Sequence, residues 1–285
     1  MPQHRFFAIP ALIRYLSVVV LLTMLCLAVA DNNHSRPYYK DKVAVLVYHH
    51  VADEDMGSVT ITPGLLDRQL KDMKRRGYHF ITMEDFRRFT QGGEVPRNAV
   101  LVTFDDGYKS FYTHAVPVLS RNQVQAVNFI VTEFIAHPER STIPSLSAAE
   151  MTELADNGSA ELQCHSNALH KQVNPKESYL SGKLEHGGKP ETDEEYTSRI
   201  RQDTLSCSTE LRRFRSKADA YAYPYGMFNA KVPGLLQEGG FRYAFTVQPG
   251  IASRKTNWME IPRINAGSPF MTPKRVHKNI MRKLH

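Results

Sequence analysis

The sequence predicts an α/β fold, a distorted (β/α) barrel of about seven parallel strands. Three observations predict it. Short apolar runs, several rich in valine, recur along the chain. Each is followed by a stretch whose apolar residues repeat at helical spacing. Four of the runs lead directly into residues able to do chemistry. Strand–helix alternation implies parallel βαβ units, and seven or so of them can close, or nearly close, a ring. The chain has 285 residues, 42% of them hydrophobic, enough for one large domain with a sizeable core.

The chain opens with positive charge at His4, Arg5 and Arg14, then "YLSVVVLLTMLCLAVA", residues 15–30. As a helix this run spans about 24 Å, slightly short for a bilayer crossing. Ala28-Val29-Ala30 has the small residues of a signal-peptide cleavage site. Residues 1–30 are therefore expected to be a signal peptide or membrane anchor. Residues 31–42 read as a polar linker and 43–285 as the folded domain, placed outside the cytoplasm.

"VAVLVYHHV" (43–51) reads as a buried strand. "TPGLLDRQLKDMKRRG" reads as a helix opened by Pro63 and stopped by Gly77, and "TMEDFRRFTQGG" (82–93) as a second. "AVLVTF" (99–104) is the next strand, 109–121 a helix, and "QAVNFIV" (125–131) a strand. "SAAEMTELADNG" (147–158) has a serine cap and an Asn-Gly stop. "AELQCHS" (160–166) is again a strand. Residues 171–192 are polar and contain Gly182, Gly187 and Gly188, a loop expected over or beside the site. A long helix over 193–215 is acidic early and basic late, as the helix dipole favours. "AYAYP" and "YAFTV" are strands separated by the helix "NAKVPGLLQEGG". "WMEIPRIN" reads as a last strand, and a helix fills about 272–284.

The formal net charge is +7, concentrated toward the ends, as in "PKRVHKNIMRKLH". Such a surface suits association with a membrane or with anionic wall polymers. No nucleic-acid motif is present. Cys164 and Cys207 form no zinc-type cluster. They read as two buried thiols, with pairing in an oxidising compartment as the lesser alternative.

In barrels of this kind functional groups gather at the C-terminal ends of the strands. His49–His50, Asp105–Asp106, His165 and Pro224-Tyr225-Gly226 all hold such positions. Adjacent carboxylates repel and are costly to bury unless a positive charge lies close by. Asp106, His165 and His170 make a ligand set for one divalent metal ion: zinc, cobalt, nickel or iron. The five-residue step in "HSNALH" excludes one face of a regular helix, so a strand end and an irregular loop must bring the two imidazoles together. Asp105 is then the general base.

"TFDDGY", "HSNALH" and "YPYG" together resemble the polysaccharide deacetylases of carbohydrate esterase family 4, the NodB-homology domain, over about residues 43–270. The histidine spacing, "YHHV" and "IPRIN" resemble most closely the branch that removes acetyl groups from biofilm poly-β-1,6-N-acetyl-D-glucosamine. The resemblance implies Asp105 as base and Asp106, His165 and His170 as metal ligands. It also implies Tyr225 as the residue whose backbone N–H binds the oxyanion, and His49, with His50 as competitor, as general acid. Its implied partner is an extracellular polysaccharide. One departure stands out. Most of the family carries an arginine two residues before the "YPYG" proline, where this chain has Ala222. Arg263 of "IPRIN" is the candidate to supply that charge. Peptidoglycan and chitin-type polymers are the alternative substrates, and an inactive carbohydrate-binding scaffold the alternative role. A two-metal phosphoesterase would need further clustered carboxylates, and none is found.

Overall fold

Valine-rich runs form strands when both of their faces can be covered. The first does so here: β1 (Lys42–Tyr48) is buried at every position from Val43 to Tyr48. The computed structural model describes residues 38–54 and 57–284. The proposed leader therefore lies outside the described residues. The further sheet strands are β2 (His79–Ile81), β3 (Ala99–Phe104), β4 (Ala126–Ile130), β5 (Ala160–Cys164), β6 (Ala220–Ala222), β7 (Tyr243–Phe245), β8 (Ala252–Ser253) and β9 (Ile264–Asn265). Among the described residues these nine strands make one sheet, ordered β7-β6-β5-β4-β3-β1-β8, with β2 on β3 and β9 on β1. Every pairing is parallel except β1 with β8. The segment 261–265 joins the ends. Ile261 bridges Phe245 and Ile264 pairs with Leu46, which brings the last strand position back to the first.

Side chains alternate along each strand, so the sheet carries two apolar layers. Val43, Val45, Leu101, Val127, Phe129 and Phe245 form the inner one, together with Phe86 and Phe89. Those two phenylalanines come from a helix that closes one end of the barrel. Ala44, Leu46, Val100, Val102 and Ile130 form the outer layer under the remaining helices.

The helices are α1 (Pro63–Arg75), α2 (Met83–Thr90), α3 (Val116–Arg121), α4 (Ala148–Asp156), α5 (Asp193–Arg212), α6 (Val232–Glu238) and α7 (Pro273–Met281). Their starts are written in the sequence. Thr82 with Asp85, Ser147 with Glu150 and Thr192 with Glu195 form reciprocal capping boxes, and Thr62 and Thr272 cap above a proline. Each such cap stabilises its helix by about 1 kcal/mol.

The structure departs from the sequence expectations in several places. The helix expected over 109–121 is a π turn at Phe111–Ala115 followed by α3, because Pro117 has no N–H to continue the ladder. The strand expected over 43–51 breaks after Tyr48, and His50–Val51 pairs separately with Thr60–Ile61. The segment 171–192 forms two small hairpins packed against α5, where Arg199 grips Glu191 and Tyr196 donates to the Leu180 carbonyl. None of its residues lines the cleft described below. Cys164 and Cys207 are not free thiols: they form a disulfide, their Cα atoms 6.1 Å apart. Their separation of 43 in sequence hid this, because only the crossing of α5 over the end of β5 makes them neighbours. Tyr38–Asp41, read as linker, begins the folded unit. Tyr39 is buried, and its hydroxyl donates to the Ala99 carbonyl over 2.8 Å.

Candidate active site

The C-terminal ends of β1, β3, β5 and β6 deliver His49, Asp105–Asp106, His165 and Tyr225 to one cleft of about 450 Å³. After β3 the backbone turns sharply, with Asp106 at φ 73° and Gly107 at φ 66°. Gly107 also lies against Ile130, where a Cβ would approach to 3.0 Å. This turn sends the two carboxylates in different directions.

Asp105 meets Arg263. Two parallel hydrogen bonds of 2.7 Å each join the guanidinium to the two carboxylate oxygens. Arg263 is fully buried and is itself fixed by the Thr246 carbonyl at 2.8 Å and the Thr103 hydroxyl at 3.2 Å. Burial alone would raise the Asp105 pKa. The charge of Arg263, helped by His165 and His49, outweighs it and holds the carboxyl below its usual range. Arg263, the candidate for the charge that Ala222 does not carry, thus sits against Asp105.

Asp106 turns the other way. Its Oδ1 lies 3.3 Å from Nε2 of His165 and 3.1 Å from Nε2 of His170. One ligand atom from each of the three residues falls within 4.8 Å of the others. Four ligands around one ion with bonds of about 2.1 Å stand roughly 3.4 Å apart, so the set fits a single ion. The chemistry of the donors agrees. Nδ1 of His165 lies 2.8 Å from the Ala222 carbonyl and donates to it, which leaves the Nε2 lone pair facing Asp106. A lone pair aimed at a carboxylate calls for a proton or a metal ion between them. The same attraction for positive charge shows in the titration of these groups. Burial disfavours a charged His165, yet Asp106 and Asp105 raise its pKa. Asp106, although buried, is held well below the ordinary range by His165 and His170.

The two adjacent histidines part company. Nε2 of His49 lies 3.9 Å from Asp105 Oδ2 and lines the cleft. His50 is buried on the other face, its Nδ1 2.8 Å from the Ser110 hydroxyl, and burial lowers its pKa. Tyr225 occupies the left-handed region at φ 58°. It is the second residue of a 3-10 turn, where the backbone N–H has no acceptor within the turn. Its ring stacks on His170 with centroids 4.6 Å apart. Gly226 follows at φ 70°, and a Cβ there would strike Val247 at 2.2 Å.

Of the aromatic residues, Tyr108, Phe134, Tyr223 and Tyr225 line the cleft. Tyr112 instead donates to Glu153, and Trp258 packs edge-on against Phe86 and Phe89 at the far end of the barrel. Sequence reasoning missed Phe134 and the run Arg140–Ile143, which form one wall. That segment is docked by the Pro144 carbonyl accepting from Lys109 N–H and the Gly107 carbonyl accepting from Leu146 N–H. Its only signal was a polar stretch bracketed by Pro138 and Pro144.

Comparison with known proteins finds relatives in sequence and in fold. A Staphylococcus epidermidis poly-beta-1,6-N-acetyl-D-glucosamine N-deacetylase is 24% identical over 249 residues, 82% of each chain. The Staphylococcus aureus protein of the same name is 22% identical over 218 residues, 76% of this chain and 71% of that one. Among solved structures, a de-N-acetylase from Aggregatibacter actinomycetemcomitans superposes with a TM-score of 0.72 at 24% identity, covering 83% of this chain and all of that one. IcaB from Ammonifex degensii gives 0.69 at 22% identity, covering 84% and 96%. These structures share the fold. The sequence pattern of polysaccharide deacetylases matches residues 92–244, more than half of the chain, and with it the chain belongs to the polysaccharide deacetylase family.

Proposed function

We propose that the protein hydrolyses N-acetyl groups from an N-acetylglucosamine polymer, and that this polymer is poly-β-1,6-N-acetyl-D-glucosamine. One observation carries the reaction: a carboxylate locked to a buried arginine stands beside a separate Asp–His–His set at the bottom of an open cleft. The names of the staphylococcal relatives support the polymer. The intact set of acid, base and ligands speaks against an inactive scaffold.

Asp106, His165 and His170 are the residues that would hold a divalent ion. Such an ion supplies Lewis acidity, polarising the acetamide carbonyl and acidifying a water. The chain's own groups do the rest. Arg263 keeps Asp105 ionised and in a single orientation, ready to take a proton from the attacking water. The Tyr225 backbone N–H points its dipole at the oxyanion of the tetrahedral intermediate. His49, 3.9 Å from Asp105, hands a proton to the departing amine. Acetate and a free glucosamine unit result.

Two features support an extracytoplasmic site of action: the apolar run at 15–30 and the Cys164–Cys207 disulfide, which persists in oxidising compartments. The basic C-terminal helix α7 would favour association with anionic surfaces.

Acetate release tests the reading. The full chain is offered β-1,6- and β-1,4-linked N-acetylglucosamine oligomers and muropeptide glycans, each with and without chelator. Chelator-sensitive release that is fastest from the β-1,6 series is expected. Preference for β-1,4 oligomers or muropeptides would move the substrate to chitin or peptidoglycan, and release unaffected by chelator would remove the metal from the reaction.

A further inference from the structure

His165 is fixed by its strand, but His170 hangs from an irregular loop, 166–170, that has no secondary structure of its own. Tyr225 stacks on His170 and donates to its carbonyl over 3.3 Å, and two further neighbours hold the stretch before it. On one side Thr132 N–H and Glu133 N–H donate to the carbonyls of Ser166 and Asn167, both over 3.0 Å. On the other stands Asp203 of α5. Its Oδ1 accepts from Asn167 N–H at 3.0 Å and its Oδ2 from Ala168 N–H at 2.6 Å. One turn further along the same helix Cys207 is bonded to Cys164, the residue directly before His165. Asp203 and Cys207 thus grip the chain on both sides of the first histidine and just ahead of the second.

We propose that Asp203 is a positioning residue for the candidate metal centre: it sets the loop that places His170 beside Asp106, while the Cys164–Cys207 disulfide holds α5 in register with the strand that carries His165. This rests on the reading of Asp106, His165 and His170 as metal ligands.

Asp203 is an unusual choice if only packing were at stake. It is 7% exposed, and burial pushes its pKa up to about 6 against the Ala168 and Asn167 N–H groups, which lower it; Glu133 raises it and Arg199 lowers it. The buried hydroxyl of Tyr221 faces the same region without a hydrogen-bond partner. A raised carboxyl pKa means that keeping the charge at neutral pH costs the fold stability. The compensation is geometric: only a carboxylate presents two acceptors to two neighbouring N–H groups. An amide presents one acceptor and turns its NH₂ toward the other N–H.

The test is a cobalt(II) titration of the full chain, followed by visible absorption, for the wild type, Asp203→Asn, Cys164→Ala/Cys207→Ala and His170→Ala. Asp203→Asn is expected to weaken cobalt binding at least tenfold and to change the visible band, while the melting temperature moves by only a few degrees. The double cysteine variant is expected to weaken binding about threefold. Wild-type cobalt affinity and spectrum in Asp203→Asn, with binding lost in His170→Ala, would overturn the positioning role alone. Cobalt retained in His170→Ala would instead overturn the centre, and the positioning role with it. If Asp203→Asn does not fold, Asp203→Glu is titrated in its place. Its longer arm displaces the loop, so the same weakening is expected, and unchanged affinity again overturns the proposal.

Discussion

The two ends of the barrel both bury charge and use it oppositely. At the N-terminal ends of the strands Arg87 of α2 is almost wholly enclosed. It holds Asp219 through bonds of 2.9 and 2.7 Å and grips both carboxylate oxygens of Glu161. Gln163 donates to both acids and accepts from Asp219 N–H and Ala220 N–H. Every strong group there is answered by another. At the C-terminal ends only Asp105 is answered in this way, by Arg263. Asp106 faces two imidazoles across an open cleft. Buried charge alone therefore does not mark a site. Buried charge whose partners are lone pairs, exposed to a cavity, does.

Substitutions at the two ends should separate sharply. The largest effect is expected at the ligands. His165→Ala should abolish both bound metal, measured by elemental analysis, and acetate release, and unchanged metal content would remove His165 from the centre. Next comes Asp105→Asn, which should keep the metal but slow turnover by about 10²–10⁴-fold, the range for losing a general base. Near-normal turnover in this variant would reassign the base.

Arg263→Met should act through Asp105. With the guanidinium gone the carboxylate loses its orientation, at a cost of about 10²-fold in rate. The sign of the pH effect follows from the same contact. Arg263 favours the charged form and depresses the pKa, so its removal raises that pKa and moves the acidic limb of kcat/KM to higher pH. An acidic limb that stays in place would mean that another group titrates there. Stability should follow too. A depressed carboxyl pKa stabilises the fold above the unfolded value near 4 and loses this as pH falls. The wild type should therefore surrender more stability on acidification than Arg263→Met does.

The smallest effects on chemistry belong to groups beside or opposite the site. His50→Gln should leave turnover within about twofold, whereas His49→Gln should slow it by about 10²-fold, as expected of a general acid. Equal losses would undo the assignment between the two. Arg87→Met should destabilise the fold by about 1–3 kcal/mol, seen in denaturant titration, because it leaves two half-buried acids without their cation. Metal content and turnover per folded molecule should not change. If they fell, the two ends would not be independent.

Much of this was legible in the sequence, for physical reasons. The strands announced themselves because fully covered strands are continuous apolar runs, as in "VAVLVY" and "AVLVTF". Helix starts were legible because capping is local, a matter of Thr82 and Asp85 three residues apart. Asp106 and His165 were legible because they stand just past strand ends, and His170 only through its place in "HSNALH". What stayed hidden depends on the chain crossing itself. The disulfide joins residues 43 apart, and Arg263, which the resemblance offered only as a candidate, meets Asp105 across 158 residues. The wall at Arg140–Ile143 reaches the cleft through backbone bonds to Lys109 and Gly107 that carry no residue signature. The resemblance named His49 ahead of His50. Which of them faces the cleft needed the break after Tyr48 to be seen.

The most direct measurement is anomalous diffraction at the zinc edge from a zinc-loaded crystal. One ion is expected, about 2.0–2.2 Å from an Asp106 oxygen and from Nε2 of His165 and of His170, with Asp105 still paired to Arg263 and not bonded to the ion. An ion bonded to Asp105, or an Asp106–His165–His170 set that takes up no zinc, would contradict the account.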